Sequence, residues 1–382
     1  MQLKAPSDAE WPTGIPIAVT HQETRISLGW ADGRTRPVNV AWLRDNCPCT
    51  KCRIAQTGEH RYFMGLVDEM PTATRVELTV TGALSIEWSD AHASLYTPDD
   101  FARIPHVAAR DHDPAQRWSD DYAPAAFDHR GVVEDLQTRA EFLAAVVRDG
   151  MALVTDTPCE SGECIRFLET LGLPVRDTPF DRLHDVYVNT EGYNVAHTDE
   201  PLPPHNDFAS YFWPPSGQLL HMLVNEVAGG EWVNVDGFRV LHRLRAEHPK
   251  AVDTLARVVV PFRQHSDTAE SWTRATIVRR DSRGEIIGIR FSNQLMQPLD
   301  PCDPDLEDFY EAYHLLSRAV SDPSNQIEFR GDAGTMQVLH GHRILHARRG
   351  FDASSGARHL QDTYFEFDDL RALHARMTGD AR

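Results

Sequence analysis

Short runs of alternating apolar and polar residues make up most of the chain, broken at Gly, Pro and Asp. Between about residues 15 and 105, ETRISLGWADG, RPVNVAWLRDN, RVELTV and LSIEWSD follow the two-residue period of half-buried strands. Ala31-Asp32-Gly33 and Thr81-Gly82 supply turn residues between them. The stretch 106–130 is rich in Asp, Pro and His, keeps no period, and reads as a linker. EDLQTRAEFLAAVVRDG then carries apolar residues at helical spacing and stops on Gly150. MALVTDTP reads as a strand, and a second helix follows around Cys164–Leu171.

From about residue 185 the segments are again strand-like: LLHMLVN, EWVNVDG, ARVVVPF, TIVRR, IIGIRFS, TMQVLH, HRILHAR and TYFEFD. FRVLHRLRAEHP and PDLEDFYEAYHLLSRAVS interrupt them with helical periodicity. The expectation is a mainly β chain with flanking helices. A small β-rich domain covers 1–105, a linker 106–130, and a larger β sandwich or barrel 131–382.

Composition narrows the function. Lys and Arg number 38 against 57 Asp and Glu, a formal charge of −19, which disfavours nucleic acids and anionic membranes as partners. Apolar runs such as Phe142–Val147 fall far short of the ~20 residues that span a bilayer. MQLKAPSDAEWPTG lacks the apolar core of an export signal, so a cytoplasmic location is expected.

Six cysteines are present, and Cys47, Cys49 and Cys52 fall within NCPCTKC. Three thiols in one tight turn are poor disulfide partners and good soft-metal ligands. A structural Zn(II) needs a fourth ligand, for which His60 and His92 are candidates. His92 is favoured, because WSDAH ends a strand that can fold back over the turn. A small β unit with little core gains from such a staple.

PLPPHNDFASYFWPPSGQLLHML and HGHRILHARRGF carry the second constellation. Two histidines and one carboxylate on one face of an octahedron leave open positions suited to non-haem Fe(II) oxygen chemistry. On a strand, residues two apart point alike, so His-x-Asp delivers two ligands together. The triplet occurs at His197, His205 and His265, and the distal ligand is open among His340, His342 and His346.

A family resemblance resolves the choice. WLRDNCPCTKC, followed by Trp88-x-Asp90-x-His92, resembles the N-terminal zinc-binding domain of the γ-butyrobetaine hydroxylase family. YNVAHT, HND, PPSGQLLHML, GGEWVNVDGF, IRFSNQ, RILHARRGF and RHLQDTYFEFD resemble, in order, motifs of the Fe(II)/2-oxoglutarate oxygenases of the taurine dioxygenase superfamily. The resemblance implies a double-stranded β-helix (jelly-roll) catalytic domain, Fe(II) and structural zinc, 2-oxoglutarate and O2 as cosubstrates, and a homodimer. It implies His205, Asp207 and His346 as iron ligands, with Arg358 and Asn194 on 2-oxoglutarate. Family members of this type hold a trimethylammonium group in an aromatic cage by cation–π attraction. Tyr364 matches one cage tyrosine, while Phe208, His197 and His184 stand at altered cage positions, and Tyr193 crowds the same region. Asn293, with Gln294, stands where the family approaches the anionic end of its substrate. The implied activity is hydroxylation of a small quaternary-ammonium or amine zwitterion, coupled to decarboxylation of 2-oxoglutarate. The same chemistry on an unrelated small molecule, or a non-catalytic metal-stabilised binding module, are the competing readings.

Overall fold

The computed structural model describes residues 12, 14–101, 117–178, 181–188, 195–266 and 269–379. They fall into two compact units divided between residues 113 and 114.

The first unit holds two three-stranded antiparallel sheets. Ala18–Gln22, Arg25–Gly29 and Thr35–Asn39 form one; Ala73–Leu78, Leu84–Trp88 and Ala93–Tyr96 form the other. Alternate residues Ile26, Leu28, Leu84 and Ile86 are fully buried in its core, as the two-residue period requires. The segment RPVNVAWLRDN does not stay extended. It turns helical over Val40–Asp45, because the Asn39 side chain accepts a hydrogen bond from Trp42 N at 3.0 Å and caps the first turn.

The second unit contains a four-stranded and a six-stranded sheet. The first runs in the order Leu202–His205, Ile344–Arg348, Trp232–Asp236, Gln326–Phe329. The second runs Ala126–Asp128, Met151–Thr155, Met336–His340, Gly217–Asn225, Arg358–Phe365, His184–Val186. Met151, Leu220, Met222 and Leu360 of the larger sheet pack with Trp232, Ile327 and Ile344 of the smaller in one buried cluster. Two facing sheets with crossed-over strand order make a double-stranded β-helix, or jelly roll.

Helices cover both outer faces. Phe142, Val146, Phe167 and Leu168 lie against Val154, Leu219 and Val338 of the larger sheet. Leu241, Val252, Phe309 and Leu316 cover Val235 and Leu345 of the smaller. The helix Leu136–Asp149 ends where Gly150 adopts φ 79°, as its sequence signalled.

Two sequence expectations are corrected here. Residues 117–130 are not a linker: Trp118 is buried in the sandwich, and Ala126–Asp128 pairs as an edge strand. Residues 102–116 of that stretch lie outside the described residues. The strand read through TYFEFD stops at Phe365, and Phe367–Thr378 is a helix with Asp368 and Asp369 in its first turn. Among the described residues, no helix is long and apolar enough to cross a membrane.

Candidate active site and metal centres

His205 ends its strand directly opposite His346 on the antiparallel neighbour, so backbone register alone brings the two imidazoles together. Their ring centroids are 4.3 Å apart. Asp207 completes the group, with its Oδ1 3.3 Å from His205 Nε2 and its Oδ2 3.8 Å from His346 Nε2. It does so from a turn, not from the strand that the His-x-Asp spacing suggested. The middle residue makes this turn. Asn206 donates to the Gly341 and Ile344 carbonyls at 2.7 and 3.2 Å, and its Oδ1 accepts from Phe291 N at 2.9 Å. Phe208 then takes φ 52°, a left-handed conformation that costs a β-carbon residue about 1–2 kcal/mol.

The protonation states suit a divalent cation. His205 Nδ1 lies 2.9 Å from the Pro203 carbonyl, which can only accept, so Nδ1 carries a proton and Nε2 is the nitrogen turned to Asp207. Burial, aided by His205, pushes His346 down to about 4, so it is neutral near pH 7. Burial opposes a charge on Asp207, yet His346, His205 and the Tyr364 hydroxyl hold its carboxyl below the usual range. Two imidazoles and an ionised carboxylate are the donor set of a two-histidine, one-carboxylate iron site.

Asp207 is itself held from behind. Gln218 Nε2 donates to Oδ2 at 2.6 Å and the Tyr364 hydroxyl donates to the same oxygen at 2.7 Å. Gln218 and Tyr364 are cross-strand partners in the larger sheet. Tyr364 therefore spends its hydroxyl on Asp207, a use that its expected place in an aromatic cage did not include.

His205, Asp207, His346 and Tyr364 line a cavity of about 580 Å³. Arg358, Leu360, Asp362 and Tyr364 reach it from one strand at two-residue spacing. Arg358 is 8% exposed, and its Nε lacks a hydrogen-bond partner. Among the described residues no carboxylate pairs with its guanidinium. Burial, then Arg348 and Arg330, lower its pKa to about 10, so the charge persists at neutral pH. Gly230, at φ 74°, lets the backbone pass close by: a β-carbon there would lie 3.4 Å from Arg358 Nε. A buried, charged, unpaired fork is what a dicarboxylate such as 2-oxoglutarate requires. Neighbouring Arg348 is spent structurally, donating to the carbonyls of Ala196, Thr198 and Glu200.

The remaining expected site residues divide. His184, His197 and Phe208 line the cavity. Asn293 does not: it is exposed, while its neighbours Ser292 and Gln294 line the wall. Tyr193 and Asn194 lie outside the described residues. Of the alternative distal histidines, His340 stacks on Phe367 at 3.9 Å and His342 Nε2 meets the Pro214 carbonyl at 3.0 Å, away from the metal group. Sequence reasoning missed Gln218 and Asp362. The two-residue period through Arg358 and Tyr364 is the signal that places Asp362 on the same face.

In the first unit, the Sγ atoms of Cys47, Cys49 and Cys52 lie 3.3, 3.6 and 3.6 Å from His92 Nε2. A tetrahedral ion with Zn–S near 2.3 Å and Zn–N near 2.0 Å sets that edge at roughly 3.6 Å, so the residues fit zinc. His60 is exposed and bridges Arg53 instead. Burial pushes the Cys47 thiol up to about 12, so a thiolate there needs a cation beside it. Arg44, paired with Asp90 at 2.8 Å, donates to Cys52 Sγ at 3.4 Å and steadies the cluster.

A model of the taurine catabolism dioxygenase TauD, TfdA family matches residues 117–364. The chain belongs to this dioxygenase family. A second model, of the N-terminal region of gamma-butyrobetaine hydroxylase-like proteins, matches residues 17–100. A gamma-butyrobetaine dioxygenase from Pseudomonas sp. (strain AK-1) is 33% identical over 353 residues, which cover 90% of this chain and 91% of that protein. The gamma-butyrobetaine dioxygenase of Homo sapiens is 24% identical over 376 residues, covering 92% and 95%. Among solved structures, asparagine oxygenase in complex with Fe(II), 2S,3S-3-hydroxyasparagine and succinate aligns with a TM-score of 0.48 and 16% identity, covering 68% of this chain and 89% of that one. The protein is an Fe(II)/2-oxoglutarate-dependent dioxygenase with a jelly-roll catalytic domain.

Proposed function

We propose that this dioxygenase hydroxylates a small zwitterion carrying an ammonium group, with Fe(II) held by His205, Asp207 and His346 and 2-oxoglutarate anchored by Arg358. One observation carries the assignment of roles: a two-histidine, one-carboxylate group and an unpaired buried guanidinium open onto the same cavity. The substrate class rests on the likeness to gamma-butyrobetaine and trimethyllysine dioxygenases.

The iron, once bound, supplies oxidative decarboxylation of 2-oxoglutarate coupled to hydroxylation of an unactivated C–H. The protein's own residues do the rest. His205 and His346 present imidazole nitrogens from paired strands. Gln218 and Tyr364 hold Asp207 by one oxygen and leave the other free for the metal. Arg358 neutralises the distal carboxylate of the cosubstrate and fixes its direction. Val186, Leu220 and Leu360 give the cavity an apolar wall that keeps water from the reacting carbon.

Cys47, Cys49, Cys52 and His92 hold a structural Zn(II) in this reading. Six free cysteines and thiolate ligation suit a reducing cytoplasm. The net charge of −19 suits small-molecule rather than nucleic-acid or membrane partners, and the homodimer is carried over from the family resemblance.

The test follows succinate and product by NMR with Fe(II), 2-oxoglutarate and ascorbate over a panel of amino acids and betaines. One hydroxylated product per succinate, lost on His205→Ala, is expected. Succinate without product from any ammonium compound would remove the substrate class and leave the oxygenase chemistry.

A further inference from the structure

His184 and Asp362 face each other across the edge of the larger sheet as direct antiparallel partners, and both line the cavity. Imidazole Nδ1 lies 2.9 Å from Asp362 Oδ1. Burial opposes a charge on His184, yet this ion pair with Asp362 raises its pKa. The contact is not aligned as a hydrogen bond, and among the described residues no other donor reaches the buried Oδ1. The other carboxylate oxygen receives only a 3.2 Å contact from the Tyr364 hydroxyl, which is shared with Asp207. Asp362 is 6% exposed, and with roughly four lone-pair sites and only these two neighbours it keeps acceptor capacity to spare at the cavity wall.

The rings beside it are not arranged as an open cage. Tyr364 meets Phe208 edge-on at 4.9 Å and His184 at 5.4 Å, while His184 and Phe208 lie 6.1 Å apart. Phe208 packs in turn on Tyr211 at 4.7 Å. One of these contacts is edge-to-face and three are tilted, so the edge of one ring takes up a face of another, and Phe208 and Tyr364 are both buried. A quaternary ammonium has no N–H and depends on free aromatic faces. An ammonium that keeps an N–H depends on a directed acceptor.

Resting on the substrate class above, we propose that Asp362, backed by His184, selects a substrate whose cationic nitrogen still carries hydrogen, a primary to tertiary amine, over a trimethylated one. The carboxylate accepts the N–H, and the paired imidazole holds it on the cavity wall.

The experiment is anaerobic calorimetry of the Fe(II)- and 2-oxoglutarate-loaded enzyme with 4-aminobutyrate and its N-methyl, N,N-dimethyl and N,N,N-trimethyl derivatives. Affinity falls roughly tenfold or more at the last methyl, where the final charge-assisted hydrogen bond is lost. Asp362→Asn flattens that step, and His184→Phe, which removes the group that holds the carboxylate, reduces it. Tightest binding of the trimethyl compound overturns this inference while leaving the substrate class intact. An unchanged step in Asp362→Asn overturns it as well. No binding by any of the four overturns both.

Discussion

Tyr364 illustrates how one side chain's role depends on where its polar end goes. The family resemblance offered it as an aromatic face; the fold ties its hydroxyl to Asp207. Tyr364→Phe keeps the ring and removes the donor, and roughly a 10-fold loss of Fe(II) affinity is expected, readable by metal titration. Unchanged affinity would mean that Gln218 alone holds the carboxylate. Residue types at the metal group were legible because the chemistry restricts them to thiolates, imidazoles and a carboxylate, but spacing left the choice among histidines open and the family resemblance supplied it. Asp362 was overlooked, although the two-residue period from Arg358 to Tyr364 puts it on their face. A carboxylate in a strand reads as solvent-facing until the sheet shows that both sides of Arg358–Phe365 are covered.

At the scale of elements, the two-residue period located the strands but not the caps and turns at their ends. Asn39 and Asp207 both stand where an extended pattern breaks, one into a capped helix and one into a turn. Local hydrogen bonds decide these points, and hydrophobic periodicity does not register them. The turn depends on Asn206, whose side chain links it to two other segments. Asn206→Ala leaves buried donors and acceptors unpaired and should cost about 2–3 kcal/mol in urea denaturation, with weakened metal binding. A loss under about 0.5 kcal/mol would show that the turn is held by other contacts. In the first unit, the turn between Leu84–Trp88 and Ala93–Tyr96 brings His92 to the three cysteines, so a metal held there would be part of the fold. Metal analysis should find about one zinc per chain, and Cys49→Ser should release it and lower the melting temperature. A chain that is zinc-free and equally stable would contradict this.

For the whole molecule, buried histidines set the response to acid. Burial, with His129 and Arg166 nearby, holds His221 at about 4, and burial with Arg279 does the same for His342. Both are neutral when folded and take their ordinary value of 6.5 when unfolded. Between those values the unfolded chain binds protons that the folded chain does not, so stability falls as pH drops through that window. The urea midpoint should be lower at pH 5 than at pH 8, and His221→Leu should narrow the gap, since neither ring nitrogen of His221 has a partner. An unchanged gap would assign the acid response to other groups. The central claim, that one cavity holds both the iron and 2-oxoglutarate, is tested most directly by anaerobic optical titration. Fe(II) and 2-oxoglutarate added together should give a visible charge-transfer band that saturates at one iron per chain. The band should vanish in His205→Ala and need far more 2-oxoglutarate in Arg358→Met. A wild-type protein that binds iron but shows no such band at any 2-oxoglutarate concentration would contradict the account.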